Sequence, residues 1–78
     1  MSVYLDDIKY QIRPHALKRM KERGITEADI QSCLDDYQVS FRPKEGYSLY
    51  IADHPSGRRL QVILDTSTKA IVSVVWLD

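Results

Sequence analysis

Residues 15–25, HALKRMKERGI, carry one imidazole and two guanidinium groups at intervals of four residues. His15, Arg19 and Arg23 would lie on successive turns of a helix, within reach of one phosphate group. Paired arginines can hold the oxygens of a pentavalent phosphorus, and a histidine can accept the proton of an attacking 2′-hydroxyl. The pattern suits a metal-independent ribonuclease. It also suits any amphipathic helix with a basic solvent face, so both interpretations stay open.

A second group of polar residues lies in the C-terminal half of the chain. Its basic and aromatic members are Arg42, Lys44, Tyr47, Tyr50, Arg58 and Arg59. Such residues on a sheet can neutralise phosphates and stack on bases. We therefore predict RNA contacts for Arg42, Arg58 and Arg59, and stacking or proton transfer for Tyr50. In the alternative interpretation Tyr47 faces the core, Tyr50 covers the outer face, and Arg58 and Arg59 decorate a turn.

Other chemistries find little support in the sequence. Two histidines, one cysteine and scattered carboxylates show no metal-ligand spacing, and no glycine-rich phosphate loop is present, so no metal or cofactor is predicted. No serine near a histidine has an evident orienting acid. Cys33 lies on the apolar side of a predicted helix and is interpreted as a small buried hydrophobic residue. The single cysteine excludes an internal disulfide and fits a reducing compartment.

The net charge of zero conceals two opposite blocks. Residues 13–24 contain five basic residues and one acid, giving +4, whereas residues 25–36 contain four acids and no base, giving −4. Such polarity can steer association with a charged partner. The first residues, MSVYLDDIKY, are too polar for a signal peptide, and no apolar run is long enough for a membrane helix. A cytoplasmic protein of one domain, residues 1–78, is expected.

Two short helices are predicted from local signals. Pro14 suits a first turn and Gly24 a left-handed C-cap, which gives a helix from Pro14 to about Arg23 with Ala16, Leu17 and Met20 on one face. Thr26 and Asp29 form a variant capping box for the second helix, and Ile25 and Ile30 a hydrophobic staple. The buried face of that helix is predicted to comprise Ile30, Cys33, Leu34 and Tyr37.

The remaining segments alternate in the manner of strands. Residues 3–12 are interpreted as one strand, and the chain after Tyr37 as antiparallel strands separated by turns at residues 54–58 and 65–69. The last strand is apolar on both faces and should be central. The predicted fold class is α+β, with two N-terminal helices on one face of a four-stranded, mainly antiparallel sheet in the order β-α-α-β-β-β.

The motif H-A-x-x-R-M-x-x-R-G-I resembles that of a widespread family of small bacterial and phage domains of unknown function. Its members here are His15, Ala16, Arg19, Met20 and the segment 23–25, and the similarity extends from about Tyr10 to Trp76. That family is in turn similar to the RelE-type and BrnT-type ribonuclease toxins. The resemblance implies a helical pair on an antiparallel sheet whose exposed face is available for RNA. It also implies a strand arginine, at Arg59, and a tyrosine or histidine near the end of the last strand, where this chain has Trp76.

Two functions follow as hypotheses. In the first, the protein is RNA-directed, either a metal-independent endoribonuclease toxin or an RNA-binding relative. His15 is then the base, Arg19, Arg23 and Arg59 bind phosphate, and Tyr50 assists. In the second, it is a non-enzymatic phage or mobile-element module that binds and modulates a host protein complex. Ile63, Val75 and Leu77 could then support a homodimer formed through the sheet.

Overall fold

The computed structural model describes residues 1–77 and contains two helices and six strands. Two strands precede the helices and four follow them. The elements in chain order are β1 (Ser2–Leu5), β2 (Ile8–Ile12), α1 (Pro14–Arg23), α2 (Glu27–Asp35), β3 (Val39–Phe41), β4 (Tyr47–Asp53), β5 (Arg59–Asp65) and β6 (Ala70–Leu77).

The N-terminal segment is a β-hairpin. β1 and β2 pair antiparallel, with Leu5 opposite Ile8, so the turn consists of Asp6 and Asp7 alone. Both aspartates have positive φ, 52° and 65°, as the central residues of a type I′ turn do. The prediction of a single strand over residues 3–12 was therefore wrong. Aspartate enters the left-handed region more readily than most residues, and here it replaces the glycine that usually signals such a turn.

The six strands form one mixed sheet in the order β1-β2-β6-β5-β4-β3. β2 pairs in parallel with β6, and the other neighbours pair antiparallel. The predicted four-stranded sheet and the order β-α-α-β-β-β are thus incorrect, since the observed order is β-β-α-α-β-β-β-β. The central position predicted for the last strand is confirmed, because β6 lies between β2 and β5.

Helix α1 follows its predicted bounds and runs along β6. Pro14 occupies its first turn, and Gly24 is the C-cap with φ of 67°. Ile12, just before the helix, pairs with Ile71 of β6, and Arg23 at its end reaches Val74 of the same strand. The C-terminal ends of α1 and β6 therefore meet.

Helix α2 begins with the predicted capping box. The Asp29 N–H donates to Thr26 Oγ1 at 3.1 Å, and the Thr26 N–H donates to Asp29 Oδ2 at 2.9 Å. Ile30, Cys33 and Leu34 are buried as predicted. Tyr37 lies beyond the end of the helix and is exposed, so its predicted place on the buried face is incorrect.

One face of the sheet is covered by the helices, and we call the other its open face. Leu60, Val62 and Leu64 of β5 are buried against the helices, whereas Gln61 and Ile63 lie on the open face. α1 packs on β6, and α2 packs on β1, β4 and β5. Because α2 contacts β1 at one edge and β4 next to the other, the sheet curves around it.

Candidate functional site: the α1 stripe and the end of β6

His15, Arg19 and Arg23, the α1 stripe, lie on successive turns of α1, and Arg23 contacts β6. His15 is exposed. Arg19 donates from Nη1 to Glu22 Oε1 at 2.8 Å, and both side chains remain more than 40% exposed. An exposed pair of this kind contributes about 0–1 kcal/mol, so it can rearrange when an anion approaches.

Arg23 joins α1 to the last strand. Its Nη1 donates to the carbonyl oxygen of Val74 at 2.8 Å, and its own carbonyl accepts the indole N–H of Trp76 at 2.7 Å. A guanidinium has five N–H groups, so the first bond occupies one of five donors. Arg23 therefore orients the end of β6, and the predicted stripe ends at Trp76.

Two further side chains pack against the ring of Trp76. The Arg58 guanidinium carbon lies 4.3 Å from the ring centroid, a cation–π distance. The imidazole of His54 meets the same ring edge-on, with centroids 4.9 Å apart. Sequence reasoning found Arg58 but gave no role to His54, because His54 lies in the turn after β4, Trp76 lies in β6, and no local pattern relates the two.

His54 is the centre of a hydrogen-bonded chain. Its Nε2 lies 2.8 Å from Asp29 Oδ1, and its Nδ1 lies 2.8 Å from Ser56 Oγ. The Ser56 N–H also donates to Nδ1, at 3.1 Å. In the neutral ring Nδ1 is therefore the acceptor, and Nε2 donates its proton to Asp29.

The three side chains stand in the order of a serine–histidine–aspartate triad. The prediction that no serine and histidine share an orienting acid was therefore wrong, since α2 supplies Asp29. The N–H groups of Ser56 and Gly57, however, already donate to His54, at Nδ1 and at the carbonyl oxygen. Neither is directed at a developing oxyanion. We interpret the hydrogen bonds among Asp29, His54 and Ser56 as a latch that joins the β4–β5 turn to the first turn of α2.

Several interactions act on the Asp29 carboxylate. Partial burial raises its pKa, but hydrogen bonds from the Thr26 N–H, the His54 ring and the Thr26 hydroxyl, together with the charge of His54, outweigh burial and lower it. Asp29 is therefore an ionised acceptor near neutral pH, which favours the Nε2–H form of His54.

Tyr50 and Arg42 line a different cavity, of about 130 Å³, near β3. Tyr50 lies on the helix-covered face, where its ring meets Tyr37 with centroids 4.7 Å apart, and Tyr47 lies on the open face. This is opposite to the alternative interpretation of the two tyrosines. Burial is the main cause that raises the pKa of Tyr50, so its phenol stays protonated near neutral pH.

Arg59 lies on the open face, beside Asp53 of β4. Its Nε is 3.8 Å from Asp53 Oδ1, and both side chains are well exposed. The structure thus groups Arg23 and Arg58 around Trp76 and groups Tyr50 with Arg42, while Arg59 faces away from the helices. A larger cavity of about 390 Å³, lined in part by Leu17, Met20 and Ile25, contains none of the predicted site residues.

Cys33 is buried between α2 and the sheet. Desolvation raises the pKa of its thiol to about 11, despite a hydrogen bond from the backbone of Ala52 that lowers it. A neutral, enclosed thiol is a poor nucleophile, in keeping with the interpretation of Cys33 as a packing residue. Within residues 1–77, no three histidine, cysteine or acidic residues are close enough to hold a metal ion.

A protein-family model described as "Domain of unknown function (DUF4258)" matches residues 12–77. The chain belongs to this family. The matched region of the DUF4258 chain includes the whole α1 stripe, Trp76 and the latch, whereas β1 and most of β2 lie before it. A search of curated proteins and a search of solved structures each found no match. Neither α1 nor α2 is long and apolar enough to cross a membrane.

Proposed function

We propose that this DUF4258 chain is a small RNA-directed protein that binds single-stranded RNA along α1 and over the end of β6. The observation that carries the proposal is the junction at Trp76. There the α1 stripe meets an indole ring that already has the Arg58 guanidinium 4.3 Å from its centroid. Basic residues beside an aromatic ring suit a phosphate backbone with unstacked bases.

The charge of α1 supports the same surface. Arg13, Lys18 and Lys21 are exposed, and α1 has no acidic residue in its first turn. The distance from His15 to Arg23 along the helix axis is about 12 Å, so the stripe can accompany a strand over more than one phosphate. Because the whole protein is neutral, binding should be moderate and confined to this side.

Cleavage is the finer part of the proposal and draws on the resemblance of the motif to RelE-type and BrnT-type ribonuclease toxins. His15 would accept the 2′-hydroxyl proton, and Arg19 and Arg23 would bind the phosphate. The 2′-oxygen would attack phosphorus as the bond to the 5′-oxygen breaks, and the 5′-oxygen would take a proton from water, to give a 2′,3′-cyclic phosphate and a 5′-hydroxyl end. Since Tyr50 and Arg42 line another cavity, the reaction would depend on α1.

Binding can be tested with a labelled single-stranded RNA whose fluorescence anisotropy is followed over a range of salt concentrations. Arg19→Gln should weaken binding and reduce the slope of log K against log salt by about 0.7, the value for one lost phosphate contact on a single strand. Lys9→Gln removes an exposed cation on β2, away from α1, and is the matched control. Equal slopes for both variants and the wild type would contradict the proposed surface.

Cleavage needs its own assay, in the presence of a chelator so that only metal-independent activity is measured. The wild type should yield products with cyclic phosphate ends, and His15→Ala should lose at least about a hundredfold in rate, the usual contribution of a general base. RNA binding without cleavage in either protein would leave the RNA-binding relative as the function and remove the catalytic role of His15.

The open face favours the second function, a module that binds a host protein complex. No helix covers this face of the described sheet, and Ile51, Ile63 and Val75 lie there half-buried beside the exposed Phe41. Aliphatic faces of this kind are typical of protein interfaces. Nuclease-treated pull-downs with the wild type and with Ile63→Glu would test it, because a specific partner should be recovered by the wild type alone.

A further inference from the structure

The two edges of the sheet are protected in different ways. At β1, Gln31 of α2 satisfies the backbone of Tyr4: its Oε1 accepts the Tyr4 N–H and its Nε2 donates to the Tyr4 carbonyl, both at 2.8 Å. The side-chain amide thus forms the two hydrogen bonds that the backbone of a neighbouring strand would otherwise form with Tyr4. At the other edge of the sheet formed by residues 1–77, β3 pairs only with β4, and its three residues Val39, Ser40 and Phe41 are all exposed. An exposed, apolar edge strand is a template for another strand.

Charges of opposite sign lie on the two sides of β3. Asp35 and Asp36 precede it, and Arg42, Lys44 and Glu45 follow it with a net charge of +1, all exposed. If two copies pair their β3 strands antiparallel, the acidic end of each meets the basic end of the other. If they pair parallel, like charges meet. The sequence of charges therefore favours antiparallel self-pairing.

The apolar side chains fit the same arrangement. Val39 and Phe41 lie on the open face, opposite Ile51 and Leu49 of β4. With Ser40 placed opposite Ser40 of the second copy, Val39 of each copy faces Phe41 of the other. The flank that carries Asp36 in one copy then lies at the same end of the interface as the flank that carries Lys44 in the other. Such a contact is isologous, since the same patch on both copies forms it and a two-fold axis closes it.

We propose that two copies of this chain associate through antiparallel pairing of their β3 edges, about a two-fold axis at Ser40. This interface goes beyond the proposed RNA function and does not depend on it, because it uses neither α1 nor the end of β6. With only three strand residues and their charged flanks on each side, the dimer should be weak, concentration-dependent and sensitive to salt.

The test is sedimentation velocity of the full chain at increasing concentration, with two charge reversals. Asp36→Lys and Lys44→Glu should each weaken dimerisation about tenfold, because each places two pairs of like charges across the axis. An equimolar mixture of the two variants should recover wild-type association, because both pairs in the mixed dimer are then of opposite sign. Lys9→Glu, a reversal on β2, should have no effect. Circular dichroism verifies that each variant is folded.

Three results would overturn the interface: a wild type that stays monomeric up to about 1 mM, reversals that leave dimerisation unchanged, or a mixture that associates no better than either variant. In the first case, the unpaired edge of β3 would be available for pairing with a strand from a different protein. Arg19→Gln, the RNA-binding variant, should dimerise like the wild type, so the two proposals fail independently.

Discussion

Asp29 shows how one side chain connects local and long-range structure. Its carboxylate accepts the Thr26 N–H within the capping box and the Nε2–H of His54, which is 25 residues away. The first bond stabilises the start of α2, and the second holds the β4–β5 turn against it. Because the carboxylate serves both, its ionisation should affect folding more than that of an ordinary surface acid.

We expect Asp29→Asn to lower the free energy of unfolding by about 1–2 kcal/mol near neutral pH, through the weakened cap and latch. The pKa of Asp29 is lowered in the folded protein, so this stability is present above the ordinary value near 4 and is lost as the pH falls through the lowered pKa. Urea unfolding measured between about pH 2 and pH 7 should show that the free energy of unfolding falls less on acidification in the variant than in the wild type.

A second acid serves as the internal reference for that experiment. Hydrogen bonds from Ser67 and Thr68 lower the pKa of Asp65, at the turn before β6, and this turn is unchanged in the Asp29 variant. The difference between the two pH profiles therefore belongs to Asp29. Parallel profiles would mean that the carboxylate has no net effect on stability.

At the scale of elements, the contact between α1 and β6 includes two hydrogen bonds at their C-terminal ends. Arg23 supplies a donor to Val74 and an acceptor to Trp76. These bonds fix where the α1 stripe ends relative to Arg58, and hence the shape of the proposed RNA surface.

Trp76→Phe should remove the bond to the Arg23 carbonyl while retaining an aromatic ring. We expect a loss of about 1–3 kcal/mol in unfolding free energy, and weaker RNA binding with it. Tyr4→Phe, at a half-exposed position, is the control and should change stability by less than about 0.5 kcal/mol. A Trp76 variant as stable as this control would show that the indole bond does not hold α1.

The Gln31 amide is a second element-scale device, since it closes the β1 edge. Gln31→Met keeps the length of the side chain but cannot pair with Tyr4, so the Tyr4 amide should exchange its hydrogen faster, by at least about fivefold per 1 kcal/mol of lost local stability. Hydrogen exchange followed by NMR measures this, with Ser32→Ala as the control on the exposed side of α2. Unchanged exchange at Tyr4 would refute the role given to Gln31.

At the scale of the whole molecule, α2 organises the curvature of the sheet. Ile30 is fully buried, and its helix contacts strands near both edges. A chain of this size is expected to be stable by about 4–12 kcal/mol in total. One well-placed core residue can therefore account for a large part of that stability.

Ile30→Ala should lower the free energy of unfolding by about 2–5 kcal/mol and leave the protein partly unfolded at 37 °C. Thermal unfolding followed by circular dichroism measures the loss. Ile8→Ala is the matched control, because Ile8 is 42% exposed and should cost far less. Similar losses at the two positions would mean that α2 does not organise the core in this way.

Both helices could be predicted because their signals are local. Pro14, Gly24, Thr26 and Asp29 act within a few residues of the helix ends, and the backbone responds to them whatever the rest of the chain does. The first hairpin is equally local but was missed, since its two-aspartate turn lacks a glycine. The functional role of the α1 stripe stays a prediction that RNA assays must decide.

The surroundings of the candidate site were decided by tertiary structure alone. Arg23 and Val74 are 51 residues apart, Arg23 and Trp76 are 53 apart, and Asp29 and His54 are 25 apart. The parallel pairing of β2 with β6 brings α1 alongside the last strand, which no periodicity along the chain encodes. A sequence pattern reports which side of an element is buried, whereas the partner of each polar group depends on how the sheet is assembled.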